Sequence, residues 1–438
     1  MKKFNLLFVT ALIFIGVLTA NQVSAQTLTG EVQGMTKSAT PITVVPFAQA
    51  GGAPLSTDVA DVMRNDFNRS GKFRSLDKGE IVEQPSKGAD IKFATWRLLR
   101  QDYITVGRIS DAGGGMLRVE YELWDVNKQQ SLLAQAFTAP VGDLRGIAHQ
   151  IADQIYEKIT GVRGAFWTRV AYITAVGLGN NTTYSLLVAD SDGYNPQVVA
   201  RSKESLLSPK WSPDGTKIAY VSFESGNSNI YIQDIITGSR QLVSARAKGI
   251  NAAPAWSPDG SRLAIALSYS GHLQIYSKSL GSSGETQLTT GSAINTEPVW
   301  SPDGSSIYFT SDRSGRPQIY QMSSAGGTPT RISFQGQNNL AAAISYDGQQ
   351  IAMVQGNGNV YRIAIMDRSL GGQIRFISPG PLDEAPSFAP NASMLLYAST
   401  EGRTGVLYAV SDDGMVRQRL VLANGDVREP AWGPYRQH

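Results

Sequence analysis

The stretch Trp211-Ser212-Pro213-Asp214-Gly215 decides the fold, because it returns along the chain at a fixed interval. Two identical copies and then three weaker ones begin at Trp256, Trp300, Ile344, Phe388 and Trp432. The first interval is 45 residues and each later one is 44. A period of this length indicates an array of one repeated supersecondary unit.

Each repeat has the composition of four short strands. In the first repeat the apolar stretches are Lys217–Ser222, Asn229–Gln233 and Gln241–Ser244, and the next motif aromatic ends a fourth stretch. All are rich in Ile, Val, Tyr and Thr and are bounded by turn-forming residues. Four strands in about 44 residues are typical of a β-propeller blade. The Pro-Asp-Gly part is turn chemistry, so we interpret its recurring aspartates as structural rather than catalytic.

The number of motifs predicts how the ring closes. The last motif aromatic, Trp432, has almost no chain after it, so its strand lacks the rest of a blade. Three stretches without a motif of their own precede the first copy: Arg169–Thr174, Tyr184–Ala189 and Gln197–Ala200. We therefore predict that the C-terminal strand pairs with these first strands, which removes the open edges of the array. The predicted fold is an all-β six-bladed propeller over residues 166–438, preceded by a small α/β domain.

The N-terminus has the pattern of a secretory signal peptide over residues 1–25. Lys2 and Lys3 precede the apolar run Phe4–Ala20, and Val23-Ser24-Ala25 is a small-residue cleavage site. Cleavage after Ala25 would leave Gln26 at the new terminus rather than a cysteine, so we expect no lipid anchor there. No other stretch reaches membrane-spanning length, which predicts an exported chain without a membrane span.

Two regions separate the signal from the propeller. Residues 26–40 are small and polar; from the residues alone we favour a frayed terminus, the alternative being a segment that adds to a partner's sheet or folds on binding. Residues 41–165 predict an α/β domain, with helices at residues 56–70 and 89–99. The clearest helix carries apolar residues three or four positions apart, at Leu144, Ile147, Ile151, Ile155 and Ile159.

Composition excludes several classes of function. The formal charge is +3 before removal of Lys2 and Lys3 and no basic block occurs, so nucleic-acid binding has no electrostatic support. Cysteine is absent, and the three histidines, His149, His272 and His438, are scattered. No nucleophile elbow and no metal-binding histidine spacing occurs. We therefore predict no catalytic residue, no metal and no cofactor.

The candidate binding site precedes the motif aromatics, where the repeats diverge in sequence. This part of each repeat enters the innermost strand at one mouth of the central channel, and varied polar and small groups around a concavity suit recognition of a protein loop or peptide. The alternative is a solvated loop face without function. The candidate residues are Leu207, Ser208, Asn251, Ala253, Asn295, Thr296, Glu297, Asp383, Glu384 and Arg428.

The whole mature chain resembles the TolB family, the periplasmic propeller components of the Tol–Pal system. The order of signal peptide, α/β domain and Trp-Ser-Pro-Asp-Gly propeller carries the resemblance. Further stretches typical of that family are Leu207–Gly215, Ala253–Gly260, Asn295–Trp300, Ser311–Tyr320 and Leu382–Pro386.

The resemblance implies a non-enzymatic periplasmic adaptor that supports outer-membrane integrity and constriction at cell division. It implies that the propeller mouth binds Pal, the peptidoglycan-associated lipoprotein, with Ala253 and Thr296 at the contact and Asn295 and Glu297 beside them. Family members often carry a histidine where this chain has Ile250, so the polarity of that contact differs here.

The same resemblance implies that the mature N-terminal segment engages TolA, an inner-membrane protein, and that binding of one partner is coupled to exposure of this segment. The expected contact residues in this segment are Gln26, Leu28, Val32 and Met35. Other outer-membrane lipoproteins or porins and bacteriocins are further candidate partners, and a monomer is expected.

A second hypothesis is a propeller hydrolase or lyase acting on cell-wall glycan or peptide. It is motivated by the acidic residues near the mouth: Glu297, Asp383 and Glu384.

Overall fold

The computed structural model describes residues 32–34, 38–50, 55–245, 249–268, 271–420, 422 and 425–437. The predicted signal peptide lies outside these residues. So do three of the four residues predicted to contact TolA, namely Gln26, Leu28 and Met35. The fourth, Val32, belongs to a two-residue strand, β1 (Val32–Gln33).

The N-terminal domain is an α/β unit built on one sheet. Its elements in chain order are β2 (Thr40–Val44), β3 (Ala48–Gln49), α1 (Val59–Arg69), β4 (Phe73–Ser75), α2 (Phe93–Leu98), β5 (Tyr103–Gly113), β6 (Met116–Asp125), β7 (Gln130–Pro140) and α3 (Leu144–Thr160). The sheet order is β4-β2-β5-β6-β7, with β3 beside β5. Strand β2 pairs in parallel with β4 and β5, whereas β5, β6 and β7 form an antiparallel meander.

Local sequence explains where the two long helices begin and end. The Asp58 carboxylate accepts hydrogen bonds from the backbone N–H groups of Ala60 and Asp61 and so caps α1. Helix α3 ends at Gly161, which adopts the left-handed conformation at φ 76°. Both helices pack their apolar sides on one face of the sheet. The predicted helix at 89–99 is shorter, because Ile91 is extended and buried and α2 begins only at Phe93.

The propeller has six four-stranded blades. Blade 1 contains β8 (Arg169–Val176), β9 (Thr183–Asp190) and β10 (Gln197–Ser202); blade 2 contains β11 (Leu206–Trp211), β12 (Lys217–Ser222), β13 (Asn229–Asp234) and β14 (Arg240–Ser244); blade 3 contains β15 (Asn251–Trp256), β16 (Arg262–Ser268), β17 (Leu273–Ser279) and β18 (Glu285–Gln287). Blade 4 contains β19 (Asn295–Trp300), β20 (Ser306–Ser311), β21 (Gln318–Ser323) and β22 (Thr330–Arg331); blade 5 contains β23 (Asn338–Ile344), β24 (Gln350–Asn357), β25 (Val360–Asp367) and β26 (Gln373–Phe376); blade 6 contains β27 (Glu384–Phe388), β28 (Met394–Glu401), β29 (Thr404–Ser411) and β30 (Arg417–Arg419). The last strand is β31 (Asp426–Trp432).

The C-terminal strand closes the ring as predicted. Strand β31 pairs antiparallel with β8, with Trp432 opposite Val170, and completes blade 1 as its innermost strand. Apolar clusters fill each of the six junctions between neighbouring blades. The predicted six-bladed fold and its closure are confirmed.

The repeated motif builds the same turn each time and also joins neighbouring blades. In the third copy the Ser301 hydroxyl donates to Asp303 over 2.5 Å, Gly304 sits at φ 70°, and the Gly304 N–H donates to the Ser301 carbonyl. The indole N–H of Trp300 donates to the Ala255 carbonyl of the preceding blade over 3.1 Å. Trp211 and Trp256 make the equivalent bond across their own junctions.

The strand directions give the propeller two distinct faces. Each innermost strand begins at what we call the mouth face and ends at the motif turn, on the opposite turn face. The N-terminal domain contacts the turn face, where the Asn391 amide donates to the Arg163 carbonyl over 2.9 Å and Lys72 pairs with Asp412 at 2.9 Å. The mouth face therefore lies on the side of the propeller away from this domain.

Among the residues described, no helix combines the length and the apolar character that a membrane crossing requires.

The closure makes Trp432 a test of ring stability. Its ring is 7% exposed and its indole N–H donates to Thr168 over 2.8 Å. Trp432→Ala should lower the free energy of unfolding by about 3–5 kcal/mol, because it leaves a cavity where the ring closes. Chemical denaturation of the mature protein measures this change. Tyr346→Ala, in a motif turn where the side chain is 67% exposed, is the control and should change stability by less than about 0.5 kcal/mol. Equal effects of the two substitutions would contradict the closure argument.

Candidate functional site at the propeller mouth

All six innermost strands carry the same backbone irregularity as they leave the mouth. One residue per strand has φ between 48° and 54°, and the strand register shifts there: Ser208, Ala253, Glu297, Ala341, Ala385 and Glu429. Positive φ is costly for residues other than glycine, so six copies indicate a β-bulge that the ring geometry imposes. Three of the predicted contact residues, Ser208, Ala253 and Glu297, occupy these bulges.

Charged side chains meet inside the channel. Lys210 follows the bulge of β11, and the surrounding blades desolvate its ammonium and lower its pKa, although Glu429 and Glu297 oppose that shift. Glu297 lies two blades away, so its charge acts on Lys210 across the channel. Burial, reinforced by Glu384, raises the pKa of Glu429 to about 7. The channel therefore holds a carboxyl group that changes its charge near neutral pH.

Glu297 is fixed in place by its own blade and by the next one. Its carboxylate accepts a hydrogen bond from the Thr310 hydroxyl at 2.7 Å and from the Ala341 N–H at 2.8 Å. Thr310 belongs to blade 4 and Ala341 to blade 5. This carboxylate therefore ties together neighbouring blades at the mouth, which leaves it less free to act as a general base.

Three predicted contact residues are buried inside the protein. Asn251 donates to the Ser228 carbonyl, and Asn295 donates to the Gln274 side chain at 2.9 Å. Asp383 accepts from the Gly380 N–H at 2.7 Å and from the Ser399 hydroxyl at 2.6 Å. All three side chains are at most 1% exposed. They hold the crossover loops that shape the mouth rather than lie at its surface.

The sequence analysis missed that this network repeats. Gln274 accepts from Thr289 and Asn295 in blades 3 and 4; Gln318 accepts from Ser333 and Asn339 one blade further on. Each pair is 44 residues apart, so the repeat period carried this signal. The network anchors each crossover loop to the third strand of the blade that it leaves.

The remaining predicted residues lie where a partner could reach them. Leu207 and Thr296 are half-buried on β11 and β19, and Glu384 is exposed at the start of β27. Arg428 is half-buried and pairs with Asp426 at 2.8 Å. Ile250, half-buried beside this group, packs against the junction of blades 3 and 4.

An exposed apolar rim surrounds these residues on the mouth face. It consists of side chains between 37% and 71% exposed in the hairpins and crossover loops at this end: Val176, Leu178, Ile294, Phe334, Val360 and Leu382. Sequence analysis did not find this rim, because its members occupy different loop positions in different blades. Apolar groups around a concave channel are typical of a protein-binding surface.

The mouth offers little to an enzyme. No group of three or more histidine, aspartate or glutamate side chains is placed to hold a metal ion within the described ranges. His272 is exposed in the hairpin between β16 and β17, and His149 is buried in α3.

The N-terminal segment contacts a different part of the propeller. Strand β1 pairs antiparallel with β30, the outermost strand of blade 6, with Val32 opposite Gln418. Arg417 donates to the Gln33 side chain at 3.2 Å, and its guanidinium lies over the Tyr408 ring at 4.6 Å. The frayed terminus that the residues alone favoured is therefore wrong for residues 32–33, which extend the sheet of blade 6 to five strands.

Fold and mouth together define a class: a six-bladed propeller with a polar channel, an apolar rim and an α/β domain on its turn face. Comparison with known proteins identifies the family within that class. The model of the TolB amino-terminal domain matches residues 28–132, and that of the TolB beta propeller domain matches residues 156–436. The chain belongs to the TolB family.

Individual relatives are similar over almost the whole chain. The Tol-Pal system protein TolB of Xanthomonas campestris pv. campestris (strain B100) is 61% identical over 94% of both chains. That of Xanthomonas oryzae pv. oryzae (strain KACC10331) is 59% identical over the same shares. The crystal structure of TolB from Acinetobacter baumannii superposes with a TM-score of 0.85 at 37% identity, covering 92% of this chain and 99% of that one.

The hydrogen bonds of Asp383 predict a structural rather than a surface role. Asp383→Ala should lower the free energy of unfolding by about 2–3 kcal/mol, because the Gly380 N–H and the Ser399 hydroxyl lose a buried acceptor. Its exposed neighbour provides the control: Glu384→Ala should change stability by less than about 0.5 kcal/mol. Thermal unfolding of both variants checks the prediction, and a stable Asp383→Ala protein would show that this carboxylate is dispensable to the loop.

Proposed function

We propose that this protein is a non-enzymatic periplasmic adaptor of the Tol–Pal system that binds Pal at the propeller mouth and TolA through its N-terminal segment. The supporting observation is the combination of the apolar rim with the anchored polar groups at the mouth, in a chain 61% identical to a Tol-Pal system protein. The role supports outer-membrane integrity and constriction at division.

The mouth supports recognition of a protein loop better than that of a small substrate. Its inner ring carries Ser208, Ala253 and Thr296, small side chains that leave room for an inserted loop. The rim outside this ring offers apolar area, which dominates the buried centre of most protein interfaces. Bacteriocins that use the same mouth, and other outer-membrane lipoproteins or porins, are candidate partners on the same grounds.

The buried amides behind the mouth have a supporting role in this proposal. Asn251, Asn295 and Asp383 fix the crossover loops and so preorganise the surface that Pal contacts. Preorganisation lowers the entropy cost of binding.

Enzymatic function is the less supported alternative. Glu297 is held by two hydrogen bonds and Asp383 is buried, so neither carboxylate is placed as a free acid or base. Glu384 is exposed at the mouth, and partial desolvation of its carboxylate by neighbouring groups raises its pKa. One raised carboxyl pKa without a nucleophile or metal beside it does not make a hydrolytic site.

The position of β1 supports coupling between the two binding events. In this proposal TolA takes up the segment through the strand edge that pairs with β30, so TolA competes with docking of β1. A partner at the mouth that changes the docking equilibrium of β1 therefore changes the affinity for TolA. By linkage, TolA changes the affinity for that partner by the same factor.

Thr296 tests the mouth. Thr296→Arg should weaken Pal binding by at least tenfold, about 1.4 kcal/mol, because a long cation would occupy the space of the inserted loop. Calorimetric titration of the mature chain with the soluble domain of Pal measures the affinity. Thr286→Arg, on the exposed outer strand β18 of blade 3, is the matched control and should bind as the unmodified protein does. Equal affinity of both variants would place Pal elsewhere.

Gly34 tests the docked segment. Gly34 has φ 97°, and an added Cβ would lie 2.0 Å from the Met415 carbonyl oxygen. Gly34→Ala should therefore displace β1 from β30 and strengthen TolA binding, because less of the segment is sequestered. The expected gain is several-fold, measured by titration with the soluble TolA domain.

Two further proteins complete this experiment. Gly79→Ala is the control, since an added Cβ there has no neighbour within 4 Å. A chain lacking residues 26–33 should not bind TolA at all. Unchanged affinity of Gly34→Ala, or binding by the shortened chain, would contradict the proposed role of the segment.

A further inference from the structure

A polar stripe on α3 faces the propeller. Arg145, His149 and Asp153 recur every four residues, so they share one side of the helix, apart from the apolar stripe that covers the sheet. Arg145 pairs with Asp192 in the loop between β9 and β10. Asp153 accepts hydrogen bonds from the backbone N–H groups of Phe166 and Trp167, at 2.7 and 3.0 Å, where the chain enters the propeller.

His149 is the centre of this interface and is 1% exposed. Its Nδ1 lies 2.6 Å from a carboxylate oxygen of Asp66 on α1. Its Nε2 lies 3.6 Å from a carboxylate oxygen of Asp192 and makes no hydrogen bond at that distance. A neutral imidazole carries one ring proton and can donate to one carboxylate, whereas an imidazolium can donate to both.

Arg69 completes the contact between α1 and the same propeller loop. Its guanidinium donates to the Ser191 carbonyl at 3.0 Å and to the Ser191 hydroxyl at 2.7 Å. It also pairs with Asp66 at 2.9 Å, and both side chains are 1% exposed. The charged groups that face His149 are thus Asp66 and Arg69 on α1, Arg145 and Asp153 on α3, and Asp192 on the propeller.

We propose that His149 is a proton-controlled latch between the two domains, in which the imidazolium bridges Asp66 of the N-terminal domain and Asp192 of the propeller. Loss of the proton leaves at most one of these carboxylates with a donor from this ring. Asp192 then keeps its ion pair with Arg145 but loses the attraction of the imidazolium 3.6 Å away, an interaction that is stronger in a desolvated site than in water.

The electrostatics of the cluster agree in sign with this geometry. Burial by itself would lower the pKa of His149, but Asp66 and Asp192 outweigh it and raise the pKa above its usual value. Burial also raises the pKa of Asp153 to about 7. Asp153 thus contributes to the pH dependence only between its ordinary pKa of about 3.9 and about 7. His149 binds a proton more tightly with the domains together, so its contact is stronger at acidic pH. It weakens as the pH rises above the ordinary histidine pKa of about 6.5.

The latch affects docking of the N-terminal segment because the chain connects β1 to the N-terminal domain. Only this consequence rests on the proposed function. Strand β1 docks on blade 6 of the propeller, and β2 begins in the N-terminal domain at Thr40, seven residues after Gln33. Relative motion of the two domains therefore acts on β1 through a short tether. Opening of the latch favours release of β1 from β30.

Hydrogen exchange of the mature chain tests the latch without any partner. Protection of the amides in residues 190–194 and in the β1–β30 pairing is measured between pH 5.5 and 8.5, each rate being divided by its intrinsic rate. Protection should fall across this range by several-fold. Above about pH 7, where His149 is the linked group, the fall should not exceed about tenfold per pH unit, the limit for one linked proton. The His149 ring resonances should titrate above the ordinary histidine pKa of about 6.5.

Variants separate the latch from a merely structural histidine. His149→Gln should lose the pH dependence above about pH 7, where Asp153 no longer contributes, whereas His272→Gln, at the exposed histidine of the mouth face, should keep it. Asp192→Asn leaves the Asp66 contact in place but also removes the charge that pairs with Arg145, so it should lower protection at acidic pH and flatten the same profile. It covers the case in which His149→Gln fails to fold.

Three results would overturn the proposal. They are protection that does not change with pH in the unmodified chain, an equal loss at every pH in His149→Gln, and an unchanged profile in Asp192→Asn. Each is independent of whether the mouth binds Pal or the segment binds TolA.

Discussion

The structure depends on a hydrogen bond that crosses between blades. The indole N–H of a motif tryptophan reaches the carbonyl of the residue that precedes the equivalent motif position one blade earlier. One residue type thus fills the junction with apolar surface and satisfies a carbonyl of the neighbouring innermost strand. At these three junctions the acceptor lies on the neighbouring blade, so each of these blades is completed by the one before it. The pairing of β31 with β8 places the Ala431 carbonyl where the indole of Trp211 needs an acceptor, so the motif itself calls for this closure.

The ring geometry in turn shapes the mouth. Innermost strands converge on the channel, and each relieves the crowding by a bulge with one residue at positive φ. Because the strain is distributed equally over six blades, the residue at the bulge is free to vary, and blades 4 and 1 place glutamates there. Glu297 then bonds to the next blade, whereas Glu429 remains desolvated with a pKa near 7. Identical backbones with different side chains convert a symmetric scaffold into an asymmetric surface.

Much of this architecture could be predicted from sequence, for a physical reason. Turn chemistry and a 44-residue period are local signals, so the six blades and the closing strand follow from the spacing of Trp211 and its copies. Burial within the candidate site was not predictable in the same way. Asn295 is polar in a divergent stretch, and only its contact with Gln274, 21 residues earlier, shows that it is internal. The apolar rim was not predicted from the sequence because Phe334 and Leu382 occupy different positions in the repeat. Pairing of β1 with β30 joins segments almost 390 residues apart, which no periodicity reveals.

The two faces of the propeller impose a constraint on any communication between partners. The mouth opens away from the N-terminal domain, while β1 lies on the outer edge of blade 6 near the turn face, where Lys72 also meets Asp412. A signal from the mouth to β1 must therefore cross blade 6, a sheet whose inner strand begins beside Asp383 and whose outer strand holds Gln33. Closed rings resist shear of one blade against the next, since each junction is packed. Small displacements of a whole blade, rather than deformation within it, are the motion that such a ring permits. The buried charges on α1 and α3 contact the loop between β9 and β10 of blade 1, where displacement of a blade changes a contact between the domains.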